Sequence, residues 1–154
     1  LGVIKPEVPK GTPPKSVPAD STAEYGSYLA KAVAQCVGCH TQMDLKTGAP
    51  IGEPFSGGQL FTPDAFSQGF AFVAPNITPD KNTGIMVSWS EAAFITRFKG
   101  GRVQKTSPMP WGFYSRMTDL ELKALYRYLM SLEPVENKID KIVFPPGESL
   151  PKQQ

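Results

Sequence analysis

The spacing of apolar side chains between residues 21 and 36 predicts the first helix. Ser21 and Glu24 form an S-x-x-E capping box, in which each side chain bonds a free backbone N–H of the first turn. Beyond this box, apolar residues recur at intervals of three and four, as expected for one face of an α-helix. They are Tyr25, Tyr28, Leu29, Ala32 and Val33. The pattern predicts a helix that runs straight into Cys36.

A second helix is predicted after residue 88. Ser88 and Glu91 form another capping box, and glycines at positions 100 and 101 provide the stop signal. The apolar positions between these signals again follow helical spacing. They are Ala92, Phe94, Ile95 and Phe98.

A third helix is predicted after residue 118 by the same signature. Thr118 is followed three residues later by Glu121, and Pro134 ends the helical pattern. The apolar face between these positions is the longest in the chain. It comprises Leu122, Leu125, Tyr126, Leu129 and Leu132.

Residues 45–87 carry no sustained helical period and are interrupted throughout by glycine and proline. A short hairpin is predicted around residues 59–74, and the remainder is predicted to be loop. Five phenylalanines lie in this region: Phe55, Phe61, Phe66, Phe70 and Phe72. A loop of this length is unusual in a compact domain. We therefore expect it to wrap a large apolar ligand that supplies part of the core.

The chain is predicted to form one folded domain over residues 20–134, since 154 residues suit one domain better than two. Proline and lysine dominate residues 1–19, which favours an extended arm or linker. This arm is either a disordered leader or a tether to a membrane anchor. Residues 135–154 are expected to form a C-terminal tail that packs on the domain or trails from it.

Charge and composition narrow the classes of function. The net charge is only +2, and the sequence shows no stripe of basic residues of the kind that binds nucleic acid. We therefore expect no nucleic-acid partner. No run of 18 or more apolar residues occurs, so the sequence predicts no membrane span. The chain has two cysteines and one histidine, and all three fall within residues 36–40. Because every thiol and imidazole of the chain lies within these five residues, we expect a cofactor or metal site there.

The run Cys36-Val37-Gly38-Cys39-His40 is the C-x-x-C-H signature for attachment of c-type haem. Two thiols three residues apart on one helical turn can reach both vinyl groups of a porphyrin edge and form thioethers. The adjacent His40 then offers a neutral imidazole nitrogen as the proximal iron ligand. The sequence therefore predicts one covalently bound haem c.

Three other interpretations of this run are weaker. A zinc site needs four ligands, and no further cysteine or histidine exists to complete one. A thioredoxin-like redox pair needs an alternating strand–helix context, which the predicted elements lack. A structural disulfide between Cys36 and Cys39 leaves His40 and the aromatic loop unexplained.

The second axial ligand is predicted to be Met109, because a single histidine excludes bis-histidine ligation within the chain. Met109 lies in the loop between the second and third helices, between Pro108 and Pro110. Flanking prolines stiffen that loop, which suits a weak thioether ligand that must stay at a fixed distance from iron. Met86 and Met117 adjoin helix starts and remain alternatives.

In its order of elements, the chain resembles class I (mitochondrial-type) cytochromes c. Further segments resemble the cytochrome subunits of bacterial periplasmic dehydrogenases for alcohols, gluconate and similar sugars. These segments are Asn76-Ile77-Thr78-Pro79-Asp80, Thr83-Gly84-Ile85, Trp89-Ser90, Met109-Pro110-Trp111 and Leu125-Tyr126-Arg127-Tyr128-Leu129. The resemblance covers residues 22–134. It departs from those subunits in two respects. They usually carry several haem motifs and this chain has one, and Met86-Val87-Ser88 makes the spacing between Ile85 and Trp89 slightly longer than in their pattern.

The resemblance implies an all-α cytochrome c fold, with three main helices and long loops around one haem. In class I cytochromes an aromatic residue of the last helix packs on a glycine of the first, and Tyr128 and Gly26 resemble that pair, with Tyr126 as the alternative aromatic. Residues expected to pack on the haem or bind its propionates are Trp89, Arg97 and Trp111.

The predicted function is single-electron transfer rather than catalysis, within a bacterial respiratory or dehydrogenase-linked chain. Haem thioethers form after export, so the expected compartment is the periplasm, with membrane anchoring if the arm is a tether. The expected partners are a quinol-oxidising complex, a dehydrogenase or a terminal oxidase. The alternative is a haem-based gas sensor or ligand-binding module, in which Met109 does not bind the iron.

Overall fold

The computed structural model describes residues 16–44 and 46–151. The proline-rich arm expected at residues 1–19 lies mostly outside this part of the chain, as does the end of the expected tail. Within the described part, the fold is mostly helical with one small sheet. None of its helices is both long and apolar enough to cross a membrane.

The first helix, α1, spans Ala23–Tyr28. Its N-cap is Thr22, whose hydroxyl accepts a hydrogen bond from the Tyr25 N–H at 3.2 Å. The capping box predicted at Ser21 and Glu24 is therefore wrong by one residue. Neighbouring serine and threonine can both cap a helix, so the sequence alone did not separate them.

The helix does not run straight into the cysteine motif. After α1 the backbone widens into a π-helical turn, Leu29–Val33, in which the Ala34 N–H donates to the Leu29 carbonyl at 2.7 Å. A bond spanning five residues inserts an extra residue into the turn and rotates the later side chains about the helix axis. As a result Ala30 is buried, whereas Val33, predicted on the apolar face, is 56% exposed.

The second main helix, α3, begins later than predicted. The short helix α2 spans Cys36–Cys39 and α3 spans Glu91–Lys99. The N-cap of α3 is Ser90 rather than Ser88, because the Ser90 hydroxyl accepts from the Ala93 N–H at 3.1 Å. Its end at Gly100 agrees with the predicted stop signal.

The last helix begins where the sequence predicts. A short helix, α4, spans Trp111–Tyr114, and α5 spans Asp119–Met130. Thr118 and Glu121 make both bonds of the predicted capping box. The helix ends at Met130, so Pro134 lies beyond its end rather than terminating it.

Helices α1 and α5 cross in direct backbone contact at Gly26. A Cβ atom at Gly26 would lie 2.0 Å from the Ala124 carbonyl oxygen and 2.7 Å from the Tyr128 Cβ. Only glycine fits this crossing, and Tyr128 is the aromatic residue that the resemblance pairs with it. Arg127 adds polar contacts by donating to the Ser21 carbonyl and hydroxyl, at 2.9 and 2.8 Å.

The described residues also form one small antiparallel sheet. Its strands are β1 (Leu60–Phe61), β2 (Ala71–Val73) and β3 (Val143–Phe144), in the order β1-β2-β3. Strands β1 and β2 form the hairpin predicted around residues 59–74. Strand β3 was not predicted, and its pairing brings part of the expected tail onto the hairpin. The all-α expectation did not include this third strand.

The hydrophobic core lies between the three main helices. Stacked rings from α3, Phe94 and Phe98, have centroids 4.3 Å apart. Leu122 and Leu125 of α5 are buried in the same cluster, and Leu29 completes it from the π-helical turn. One side of this core, at Phe98 and Leu125, borders an apolar cavity.

Candidate cofactor site

The backbone before Cys36 aims the cysteine motif inward. Gln35 has a φ of 52°, a left-handed conformation that ends the π-helical turn. Helix α2 then restarts, and the His40 N–H donates to the Cys36 carbonyl at 2.9 Å. The reversal buries Cys36 and His40 at 8% exposure each, while Cys39 stays exposed.

His40 is held by one hydrogen bond in an orientation that suits a ligand. Its Nδ1 lies 2.9 Å from the Pro75 carbonyl oxygen, 35 residues along the chain. A carbonyl only accepts hydrogen bonds, so Nδ1 donates and Nε2 keeps its lone pair. Burial lowers the pKa of His40, and the bond to Pro75 opposes that shift only in part. The imidazole is therefore neutral at pH 7, as metal binding requires.

The two thiols are free and protonated. Burial raises the pKa of Cys36 to about 12, and partial desolvation also raises the pKa of the more exposed Cys39. Reactive redox thiols instead have lowered pKa values and stabilised thiolates. Among the described residues, no group of three or more histidine, cysteine, aspartate or glutamate side chains is placed to hold a metal ion. This thiol environment fits neither a thioredoxin-like pair nor a zinc site.

A cavity of about 310 Å³ opens beside the motif. Its walls are mainly aliphatic and aromatic, with contributions from the 61–77 segment, α3, the Met109 loop and α5. All seven sequence-predicted site residues line it: Cys36, Cys39, His40, Trp89, Arg97, Met109 and Trp111. A large flat apolar group with a central metal fits this combination of apolar wall, paired thiols, imidazole and thioether.

Two of the candidate methionines line the cavity. Met109 is half-buried, and its N–H donates to the Ser107 hydroxyl at 3.3 Å. Met86 also lines the cavity and is 4% exposed. Met117 packs on the core but does not line the cavity. Of the three candidate ligands, Met117 is therefore the one that does not border the cavity. Met109 and Met86 both remain in reach of a group bound there.

A cation lies on the cavity wall near the methionine loop. The Arg97 guanidinium stacks on the Trp111 ring, 3.7 Å from its centroid, and donates to the Gly101 carbonyl at 2.7 Å. Partial burial lowers the pKa of Arg97, but a guanidinium stays charged at pH 7. This charge is suited to balancing an acidic substituent of a group in the cavity.

Sequence reasoning missed two groups that shape the site. Pro75 contributes only its carbonyl, and a peptide carbonyl carries no residue-type signal. Tyr114 lines the cavity, and its hydroxyl donates to the Ala34 carbonyl at 2.7 Å, fastening α4 to the segment before Cys36. The aromatic cluster Trp111-Gly112-Phe113-Tyr114, directly after the methionine loop, was the available signal for Tyr114.

Known proteins with similar sequences are subunits of bacterial oxidoreductases. The chain is 35% identical to the gluconate 2-dehydrogenase cytochrome c subunit of Pantoea cypripedii, over 82% of this chain and 27% of that subunit. It is 29% identical to the fructose dehydrogenase cytochrome subunit of Gluconobacter japonicus, over 88% of this chain and 27% of that subunit. The chain is related to cytochrome c subunits of bacterial dehydrogenases.

A third relative is also a cytochrome c subunit of a bacterial dehydrogenase. The cytochrome c subunit of a quinone alcohol dehydrogenase from Gluconacetobacter polyoxogenes is 32% identical, over 76% of this chain and 24% of that subunit. The chain spans about a quarter of the length of these curated relatives. No protein-family model matches it.

Proposed function

We propose that this chain is a single-electron carrier of the class I cytochrome c type, with one covalently attached haem c ligated by His40 and Met109. The observation that carries the proposal is that Cys36, Cys39, His40 and Met109 all line one apolar cavity. The relationship to cytochrome c subunits supports the same cofactor.

Each residue has a distinct task in this proposal. Cys36 and Cys39 form thioether bonds to the porphyrin, which keep it in place although the core is small. His40 binds through Nε2, because Nδ1 is committed to the Pro75 carbonyl. Met109 binds from the loop between α3 and α4. When bound, the haem supplies a one-electron couple at its iron, and thioether ligation favours the reduced state.

The cavity wall excludes water from the cofactor. Phe98 and Leu125 are buried, and their side chains offer no hydrogen bond to solvent. A dry wall lowers the solvent rearrangement that accompanies a change of charge. Arg97 balances the negative charge of a propionate from its stacked position on Trp111. The exposed Cys39 marks an edge at which electrons enter and leave.

The partners in this proposal are redox proteins. Relatives named as subunits of gluconate, fructose and alcohol dehydrogenases support a dehydrogenase as the electron donor. A quinol-oxidising complex or a terminal oxidase is the corresponding partner if the chain acts in respiration. Covalent haem attachment takes place outside the cytoplasm, so we assign the protein to the bacterial periplasm.

The test begins with protein matured in cells that attach c-type haem. Intact mass should show one added tetrapyrrole that acid-acetone does not extract. The ferric protein should show a weak absorption band near the red end of the visible range, diagnostic of methionine–iron ligation. Protein without covalent haem would contradict the proposal.

Replacing Met109→Ala should abolish the red-end band and lower the reduction potential, because a thioether that favours ferrous iron is lost. Met86→Ala is the matched control, since Met86 lines the same cavity. A band that survives in Met109→Ala and disappears in Met86→Ala would move the ligand assignment to Met86. If the parent protein has no such band and its reduced form binds carbon monoxide at once, a gas-binding module replaces the electron carrier.

A further inference from the structure

Asn76 is fully buried and immediately follows Pro75, whose carbonyl holds His40. Its amide nitrogen donates to the Thr83 hydroxyl at 2.9 Å and to the Val135 carbonyl at 2.7 Å. Its amide oxygen accepts from the Thr78 N–H at 2.9 Å and from the Thr78 hydroxyl at 2.7 Å. An asparagine amide has two donors and one acceptor with two lone pairs. Every hydrogen-bonding position of this side chain is therefore used.

These bonds also define which way the amide faces. With the amide reversed, its oxygen would face the Val135 carbonyl and its NH₂ group would face the Thr78 N–H. The first contact would place two acceptors together and the second would place two donors together, so buried polar groups would lack hydrogen bonds. The side chain consequently has one orientation, and it anchors the peptide group that joins Pro75 to Asn76.

The backbone on the far side of Asn76 is fixed as well. Its carbonyl accepts from the Ile85 N–H at 2.9 Å, and the next N–H, of Ile77, donates to the Phe55 carbonyl at 3.0 Å. The Pro75 carbonyl has little freedom to rotate away from His40 while these bonds hold. Loss of the Asn76 side-chain amide would leave these backbone bonds in place but would remove the four side-chain bonds that also hold this peptide segment.

The segment that follows α5, residues 135–137, is hydrogen-bonded to the loop that contains Asn76. The Val135 N–H donates to the Thr78 hydroxyl at 3.2 Å, and the Asn137 N–H donates to the Thr83 hydroxyl at 3.1 Å. The Asn137 amide donates to the Ser56 carbonyl at 3.0 Å. Residues 135–137 are thus bonded to the loop that carries the Pro75 carbonyl.

We propose that Asn76 is a positioning residue that holds the Pro75 carbonyl against the His40 Nδ1–H and so helps set the reduction potential of the bound metal. The inference rests on the proposed function, in which His40 is an iron ligand. A carbonyl that accepts the ring N–H raises the basicity of the ligating nitrogen. Greater electron donation stabilises the oxidised metal, so a loosened carbonyl raises the potential.

The experiment uses haem-loaded protein carrying Asn76→Ala, and compares Thr78→Val with Thr78→Ser. Asn76→Ala and Thr78→Val should shift the reduction equilibrium toward the reduced form by threefold or more, which is about 30 mV for one electron. Thr78→Ser keeps the hydroxyl and should restore the parent potential. In the reduced protein, the NMR signal of the His40 ring N–H should move upfield in the first two variants.

Thr22→Ala is the control for destabilisation alone, because it removes the α1 cap, whose hydroxyl bonds the Tyr25 N–H and not this loop. A purely structural role for Asn76 predicts lower stability with an unchanged potential and an unchanged His40 signal, as in Thr22→Ala. That result would overturn the inference. If Asn76→Ala does not load haem, the two Thr78 variants decide the question by the same readouts.

The parent protein separates this inference from the proposed function. A parent without covalent haem overturns the proposed function, and the inference falls with it. A parent that carries haem, alongside Asn76→Ala and Thr78→Val variants at the parent potential, overturns the inference alone.

Discussion

Substituting Gly26→Ala tests the packing of the first helix on the last. A methyl group at Gly26 would lie 2.0 Å from the Ala124 carbonyl oxygen and 2.6 Å from its carbonyl carbon. Both are backbone atoms of α5, so no side-chain rotation can relieve the contact. Carbon and oxygen atoms in van der Waals contact are about 3.5 Å apart. To reach that separation, α1 and α5 would have to move apart by more than about 1 Å.

Such a displacement affects the whole interface between the two helices. Leu29 and Tyr128 are buried near this crossing and would lose close packing if the helices separated. Overpacking a core costs about 1–3 kcal/mol when side chains can adjust. Because backbone must move here, we expect the free energy of unfolding to fall by at least about 3 kcal/mol. For a domain of this size the loss lowers Tm by about 6–12 °C.

The assay is urea unfolding of haem-loaded protein, followed by far-UV circular dichroism. A loss of about 3 kcal/mol should lower the urea midpoint by about 1 M or more. Gly112→Ala is the matched control, since its new methyl group would meet nothing within 4 Å. That control should be neutral or slightly stabilising, because alanine favours helix over glycine. Equal midpoints for Gly26→Ala and Gly112→Ala would refute a close backbone contact between α1 and α5.

Two further predictions concern the α5 cap and the loop that precedes α3. Thr118→Ala should lower the free energy of unfolding by about 1 kcal/mol in urea, and Thr118→Ser should not, because the hydroxyl bond to the Glu121 N–H is what stabilises the first turn. Hydrogen bonds from Thr83 lower the pKa of Asp80 in the folded protein below its usual 3.8. The ionised Asp80 therefore stabilises the fold above pH 3.8, and this stabilisation is lost as the pH falls through the lowered pKa of the folded state. Asp80→Asn should therefore flatten the acid limb of stability against pH, and an unchanged slope would contradict it.

Each main helix has more than one residue near its start that can serve as the cap, and the sequence identifies the right one only for α5. At α5, Ser115 and Asp119 are also cap-type residues, but Thr118 is the one with a glutamate three positions later, and both bonds of the box form. At α3, Ser88 and Ser90 are alternatives two residues apart. The Trp89 N–H donates to the Met86 carbonyl, so residues 86–89 form a separate turn and the helix starts after it, at Ser90. Local pattern cannot show such a turn.

The π-helical turn after α1 is a similar case. Helical spacing places Val33 on the apolar face, yet one five-residue hydrogen bond, from Ala34 to Leu29, is enough to rotate it into solvent. Leu29 is buried, as helical spacing predicts, whereas Ala30 is buried although that spacing leaves it off the apolar face. The left-handed Gln35 then re-aims the chain at Cys36. Helical periodicity predicts that a helix precedes the motif, but not how the two are joined.

The candidate site shows the same division between residue type and backbone placement. Cysteine, histidine and methionine are recognisable because their side chains supply the chemistry, and all of the predicted site residues line one cavity. The group that orients His40 is a peptide carbonyl, which every residue possesses. Substituting Pro75 would leave that carbonyl in the chain, so mutation of the acceptor itself is uninformative. In our proposal its position depends instead on the Asn76 side chain and on residues 135–137, which contribute the Val135 carbonyl and the Asn137 amide. Substituting Asn76 or Asn137 is therefore the way to change electron donation by His40.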